Sequence, residues 1–154
     1  MVIEVILENV EHLIQADVFY IHKVDHRNNS PKKSQWTISE ELERKCFSNS
    51  LISSWSDKKQ AEYEYWGLHF DNEQVVYLGI TKSSGGSQQE PLFIAKFLDS
   101  SQNNKWHGYP ADYVKNNQDK PPSIVLKAWA DAQHFSPATI SKIAQSKPCK
   151  LRLS

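Results

Sequence analysis

The stretch EYEYWGLHFDNEQVVYLGIT, residues 62–81, decides the fold class of this chain. It is rich in aromatic and β-branched residues, and the polar segment DNEQ at 71–74 divides it into two runs. Two such runs around a short polar turn predict a β-hairpin. Further strands are predicted from DVFYIHKV at 17–24 and from PLFIAKFLD at 91–99. The centre of the chain is therefore predicted to be an antiparallel sheet.

Helical patterns lie on either side of this predicted sheet. Near the N-terminus, apolar residues recur with helical spacing and predict an amphipathic helix. They are Ile3, Ile6, Leu7, Val10, Leu13 and Ile14. Residues 2–7 alone would also fit a strand, and both interpretations stay open. A second helix is predicted near 37–55, because Thr37 followed by Glu40 is typical of a capping box.

The C-terminal part of the chain predicts a pair of helices. The first is PPSIVLKAWADAQHF, residues 121–135, and the second is SPATISKIAQS, residues 136–146. Ser136 followed by Pro137 is a strong signal for a helix start. The alternating segment CKLRLS at 149–154 predicts a short terminal strand. Together these elements predict a single α+β domain over residues 1–154.

Composition restricts the class of protein. Of 154 residues, 39% are hydrophobic and 23% charged, which favours a folded chain over a disordered one. No apolar run approaches the roughly 20 residues that span a bilayer, so no membrane association is predicted. Glu4, Glu8 and Glu11 stand where a signal peptide would carry basic residues, and we expect a cytoplasmic location. Cys46 and Cys149 form no CxxC pair, so neither a disulfide scaffold nor a cysteine-based zinc site is predicted.

Charge is unevenly distributed although the formal net charge is zero. Residues 120–154 contain six basic side chains and one acid, hence +5, whereas residues 1–24 contain four acids and one lysine, hence −3. The basic end could attract an anionic partner. The two ends could also lie together and neutralise each other, and this simpler interpretation is favoured.

The first candidate site is NKWHGYPADY, residues 104–113, which is predicted to be an aromatic loop. Its candidate ligand- or partner-binding residues are Lys105, Trp106, His107, Tyr109 and Asp112. His107 would be the natural general acid or base, because the usual pKa of imidazole lies near physiological pH. The alternative is that Trp106 and Tyr109 close one end of the core while Gly108 and Pro110 shape a turn. The pattern favours this structural role but leaves both open.

The second candidate site is the helix pair, VLKAWADAQHFSPATISKIA at 125–144. Over these twenty or so residues it resembles the helix-turn-helix of bacterial repressors. Ala130 matches the small residue of the first helix, and Phe135 matches the apolar residue before the second. The resemblance implies that the second helix would face the major groove through Pro137, Ala138, Thr139, Ser141 and Lys142. The chain departs from the pattern at the tight turn, where His134 replaces the usual left-handed glycine.

Other candidate chemistry is weaker. His22 and His26 have a spacing found in zinc sites, but no complementary cysteine pair or glutamate accompanies them, so no metal and no cofactor are predicted. The sequence therefore predicts a small cytosolic binding protein. A protein partner is the first hypothesis, bound through residues 104–113 and the basic helix pair. These two segments could form the two walls of a single groove, with Lys105, Trp106 and Lys142 near its rim. Nucleic-acid binding is the second hypothesis, and an enzyme using His107 as acid–base is the third.

Overall fold

The computed structural model describes residues 10–59, 62–84, 88–99 and 102–151. In chain order the strands are β1 (Glu11–Gln15), β2 (Val18–Ile21), β3 (Gln35–Trp36), β4 (Ser56–Lys59), β5 (Glu62–Gly67), β6 (His69–Asp71), β7 (Gln74–Val76), β8 (Gly79–Ile80), β9 (Pro91–Leu92), β10 (Ala95–Leu98) and β11 (Lys105–Pro110). The helices are α1 (Glu40–Ile52), α2 (Ser123–Asp131) and α3 (Pro137–Ala144).

Six strands form the main sheet, in the order β1-β2-β11-β10-β5-β4. Neighbours pair antiparallel except β2 and β11, which pair in parallel with Phe19 opposite Lys105 and Tyr20 opposite Trp106. This antiparallel-rich sheet with three helices confirms the predicted α+β class. Within the described ranges, no helix combines the length and the apolar character that crossing a membrane would require.

The N-terminal helix prediction is wrong for the residues that the structure describes. Residues 11–15 form β1, which pairs with β2 across a tight turn where Asp17 has φ 64°. Exposure alternates along β1, and His12 and Ile14 are its half-buried members. Apolar residues at 10, 13 and 14 fit a helical period, but pairing with the aromatic strand β2 determines the conformation. The rest of the predicted helix, including 2–7, lies outside the described residues.

Helix α1 confirms the helix predicted near 37–55, with one correction at its start. The N-cap is Ser39 and not Thr37: the Ser39 side chain accepts a hydrogen bond from the backbone N–H of Leu42. Cys46 and Phe47 are buried under the helix against the main sheet. The Phe47 ring lies 5.2 Å from that of Phe97 on β10, and this aromatic contact joins α1 to the centre of the sheet.

The hairpin predicted over 62–81 is confirmed only in its middle. Strands β6 and β7 pair across the two-residue turn formed by Asn72 and Glu73, both with positive φ. Strand β5 does not join this hairpin but pairs with β4 and β10 in the main sheet. Strand β8 pairs with β3 and β9 in a separate three-stranded sheet. The polar turn was read correctly from its residues, whereas the strand partners depend on contacts distant in sequence.

The prediction of a loop at 104–113 is wrong, because residues 105–110 form β11, an inner strand of the main sheet. Alternate residues Trp106, Gly108 and Pro110 are buried. At Gly108 a Cβ atom would lie 2.2 Å from Cδ1 of Phe97. The glycine is therefore required by the close approach of β10, and not by a turn.

Helices α2 and α3 confirm the predicted C-terminal pair. Ser136 caps α3 by accepting from the backbone N–H of Thr139, and Pro137 occupies the first turn, as the sequence predicts. Trp129, Phe135 and Ile143 are buried in a second apolar cluster with Trp55 and other residues of the sheets. The predicted terminal strand is not found in its described part, because residues 149–151 are not in a strand. The remainder of CKLRLS lies outside the described residues.

Candidate functional site

The residues of the first candidate site are held by contacts within the fold. Trp106 is 6% exposed and packs its ring against Phe47 and Tyr65. The Lys105 Nζ atom lies 3.3 Å from a carboxylate oxygen of Glu11 on the edge strand. The indole of Trp106 therefore lies in the core, in agreement with the structural interpretation of this residue.

Tyr109 and Asp112 serve to fix the chain that follows β11. The Tyr109 hydroxyl donates to Oδ1 of the buried Asp119 at 2.7 Å, and the His26 ring stacks on Tyr109. The backbone N–H of Asp112 donates to the other oxygen of Asp119 at 3.2 Å. Burial and the neighbouring Asp119 carboxylate raise the pKa of the Tyr109 phenol far above its usual value. Tyr109 is therefore a hydrogen-bond donor and not an acid at physiological pH.

His107 lies half-buried on the same sheet face as Lys105 and Tyr109. Burial, with Lys23 and His26 nearby, lowers the pKa of its imidazole to about 4. A general acid or base works best with a pKa near the operating pH. The imidazole of His107 is therefore neutral and a weak base at physiological pH, which does not favour the acid–base role.

His22 and His26 do not converge, although their spacing resembles that of zinc ligands. Nδ1 of His26 lies 2.8 Å from the Ser34 carbonyl oxygen, and Nδ1 of His22 lies 3.1 Å from Glu43. Over the described ranges, no three or more His, Cys, Asp or Glu side chains are grouped so as to hold a metal ion.

The residues of the second candidate site lie at the surface. Pro137, Ala138, Ser141 and Lys142 are exposed and Thr139 is half-buried on α3. The connection between α2 and α3 differs from the predicted turn, because the left-handed residue is Gln133, with φ 62°, and not His134. His134 instead packs its ring against Phe70 and Trp55, with centroids 4.9 and 5.6 Å away.

An open groove of ≈ 580 Å³ adjoins the start of α3. It is bounded by the tip of the β6–β7 hairpin, the connection between α2 and α3, the first turns of α3, and the C-terminal segment. Its lining residues are Glu73, Gln74, Val75, Gln133, His134, Phe135, Ser136, Ala138, Thr139, Lys142, Cys149, Lys150 and Leu151. We call this the α3 groove. Ala138, Thr139 and Lys142 of the predicted recognition helix line this groove, so the predicted recognition surface adjoins a concave one.

The α3 groove has apolar and charged parts. Val75 and Phe135 are buried, and Leu151 is half-buried. Lys142 and Lys150 are exposed, and within the described ranges no carboxylate lies within ion-pair distance of either ammonium group. Among the described lining residues, Glu73 is the one acid. This part of the groove therefore combines a small apolar surface with two lysines and a single glutamate.

The C-terminal wall of the groove is held in place by two tyrosines. The Tyr113 hydroxyl donates to the Lys147 carbonyl oxygen at 2.8 Å and lies 3.3 Å from Sγ of Cys149. The Tyr77 hydroxyl accepts from the backbone N–H of Leu151 at 3.0 Å. These contacts hold residues 147–151, which include Lys150, in place without a strand pairing.

The predicted single groove with two walls is not what the structure forms. The described residues of 104–113 contribute nothing to the lining of the α3 groove, and Trp106 is buried away from solvent. The groove instead uses Glu73 and Gln74 of the predicted polar turn and Val75 at the start of the strand predicted after it. Lys150 was counted in the basic C-terminal end, and that charge asymmetry was the one signal pointing to the groove.

Comparison of the chain with protein-family models, with curated proteins and with solved structures gives no match.

Proposed function

We propose that this chain is a binding protein that takes a segment of a partner protein into the α3 groove. The observation that carries this proposal is an open groove lined by apolar side chains and by two lysines that have no carboxylate partner among the described residues. Binding surfaces combine such apolar area with a few convergent polar groups. The two free cysteines, Cys46 and Cys149, support placing this function in the reducing cytoplasm.

The charges of the groove select an acidic segment. Lys142 on α3 and Lys150 on the C-terminal segment both line the groove, so a carboxylate bound in it would be attracted by two cations. An apolar side chain of the same segment would cover the half-buried Leu151. Glu73 at the hairpin tip would repel a densely acidic partner, which favours one or two acidic residues next to an apolar one.

A groove of this size supports modest affinity. A segment that fills it buries less than the roughly 1,200–2,000 Å² of a stable protein interface. We therefore expect a transient complex whose dissociation constant is on the order of micromolar and rises with salt concentration, because exposed charges are screened.

Selection of peptides from a random-peptide display library on the immobilised chain tests this proposal. We expect enriched peptides to combine an acidic and an apolar residue, and to bind the Lys142→Glu and Lys150→Glu variants at least tenfold more weakly. Lys45→Glu is the matched control, because Lys45 is an exposed lysine of α1 that does not line the groove. Failure to enrich any peptide, or equal binding by all variants, would refute the proposal.

Nucleic-acid binding is the second candidate, and the exposure of the predicted recognition residues on α3 favours it. It ranks below a protein partner because Lys142 is the single cation among those residues and phosphate contacts need basic surface. Titration of labelled duplex and single-stranded oligonucleotides at low salt tests it. Binding that falls steeply with salt and with Lys142→Ala or Lys150→Ala would support it, and no binding at low salt would remove it.

A further inference from the structure

A network of buried charged and polar side chains lies between α1 and the segment after β2, on the side of the main sheet that α1 covers. Glu43 is 1% exposed, and its Oε1 atom accepts from Nε and Nη2 of Arg27 at 3.0 and 2.7 Å. Its Oε2 atom accepts a short hydrogen bond from the Tyr20 hydroxyl. Three residues therefore join α1 to β2 and to the loop that follows it.

The His22 ring, which is 2% exposed, lies beside the same carboxylate. Nδ1 of His22 lies 3.1 Å from Oε1 of Glu43, and Nε2 lies 2.9 Å from Nη1 of Arg44. A guanidinium has donors and no acceptor, so the Nε2 atom of His22 accepts this hydrogen bond from Arg44. The buried His22 ring therefore holds the Arg44 guanidinium at one nitrogen, on the side of α1 that carries Glu43.

Arg44 is the point where this network reaches the surface. Its side chain is half-buried, and the hydrogen bond to His22 uses Nη1. Among the residues that the structure describes, no acceptor for Nε or Nη2 of Arg44 is found. A guanidinium fixed at one nitrogen with its other donors unused is preorganised for a tetrahedral oxyanion, which it can bind through two hydrogen bonds.

His12 contacts the same His22 ring to which Arg44 is hydrogen-bonded. It lies on the edge strand β1, and its ring makes an edge contact with the His22 ring at 5.1 Å between centroids. Its charged neighbours are Arg44 and His22, with Glu40 and Glu43 of α1 opposing them. Burial and then Arg44 lower the pKa of the His12 imidazole. A bound anion would offset the effect of the Arg44 charge and so raise the pKa of the His12 imidazole.

We propose that Arg44 and His12 form a binding site for a phosphate-type oxyanion, built on the buried pair of Glu43 and His22. Arg44 supplies the charge and two N–H donors, and His12 supplies a further N–H. The Glu40 carboxylate limits the strength of binding and disfavours ligands with more than one anionic group. This site is formed by α1, β1 and the end of β2, so it does not depend on the α3 groove or on its partner.

Inorganic sulfate is the probe, because it stays a dianion while His12 titrates. The His12 imidazole pKa is followed by its ring proton signals in NMR spectra, in sulfate and in chloride of equal ionic strength. Sulfate should raise this pKa by about half a unit or more in the wild-type chain, since a nearby opposite charge favours the protonated ring. The rise should vanish in Arg44→Gln and persist in Lys45→Gln, which removes an equal charge from the next position of α1.

Acetate in place of sulfate tests whether a carboxylate has the same effect, and an equal response to acetate would contradict the assignment to a tetrahedral anion. Arg44→Lys keeps the charge without the planar donors, so it should show a smaller rise and also serves if Arg44→Gln does not fold. No rise in the wild-type chain would overturn the proposal. An undiminished rise in Arg44→Gln, or in Arg44→Lys if the first variant does not fold, would also overturn it.

Discussion

At the scale of single residues, His107 shows how placement in the sheet changes the chemistry of a side chain. The imidazole lies on the half-covered face of β11, and its pKa falls to about 4 because of burial, with smaller effects from Lys23 and His26. The unfolded chain, with a histidine pKa near 6.5, therefore binds a proton that the folded chain does not between these two values.

This difference predicts a loss of stability in acid. The folded pKa lies below the unfolded one, so the free energy of unfolding is highest above about pH 6.5 and falls as the pH drops towards 4. We expect His107 to account for about 1–2 kcal/mol of this fall, less than its full shift implies because the ring is partly exposed. Urea unfolding of the wild-type chain and of His107→Gln across this range measures it.

His69→Gln provides the comparison for this prediction. Burial lowers the His69 pKa too, but Asp71 opposes the effect, so its removal should change the acid sensitivity less than removal of His107. Parallel pH profiles for wild type and His107→Gln would contradict the expected role of His107.

At the scale of elements, strand β11 depends on the absence of a side chain at one position. Gly108 faces Phe97 on the neighbouring strand β10, and a Cβ atom would also lie 2.8 Å from the Lys96 carbonyl oxygen. Neither the strand backbone nor the buried Phe97 ring can move away without disturbing the aromatic core.

Gly108→Ala is therefore expected to destabilise the fold by about 3 kcal/mol or more, at the upper end of overpacking effects. A loop at this position would tolerate alanine. The midpoint of denaturant unfolding measures the change, with Lys58→Ala, at an exposed position of the edge strand β4, as a control near zero. A variant Gly108→Ala as stable as the wild type would exclude the close packing described for β11.

Local signals in the sequence predicted some elements well and failed where distant contacts decide. The start of α3 was predicted from Ser136 and Pro137 because a helix cap is a property of adjacent residues. Glycine and proline in 104–113 predicted a turn, but in the fold they serve close packing between strands. The helix pair and its basic residues were predicted from the sequence, whereas the α3 groove and its hairpin wall at Glu73 were not, because no local pattern specifies which turn meets which helix.

At the scale of the whole molecule, the buried apolar residues form two clusters, and each of the two proposed binding sites adjoins one of them. One cluster lies between α1 and the main sheet, and the other lies under the helix pair. The α3 groove belongs to the second, and the network around Glu43 belongs to the first. Glu11 of β1 pairs with Lys105, so this acid of the N-terminal segment finds its cation in the sheet and not in the basic C-terminal end.

The parallel ladder between β2 and β11 has a consequence for the order in which the chain opens. Every other pair in the main sheet joins antiparallel strands, whereas this one unites segments separated by most of the polypeptide. Strand β1 pairs with the sheet through β2 and is largely exposed, so it should open before global unfolding, whereas the buried Tyr20 holds β2 in place. Native-state hydrogen exchange would then show β1 amides opening at lower free energy than those of β5 and β10. Uniform protection across all six strands would refute this order of opening.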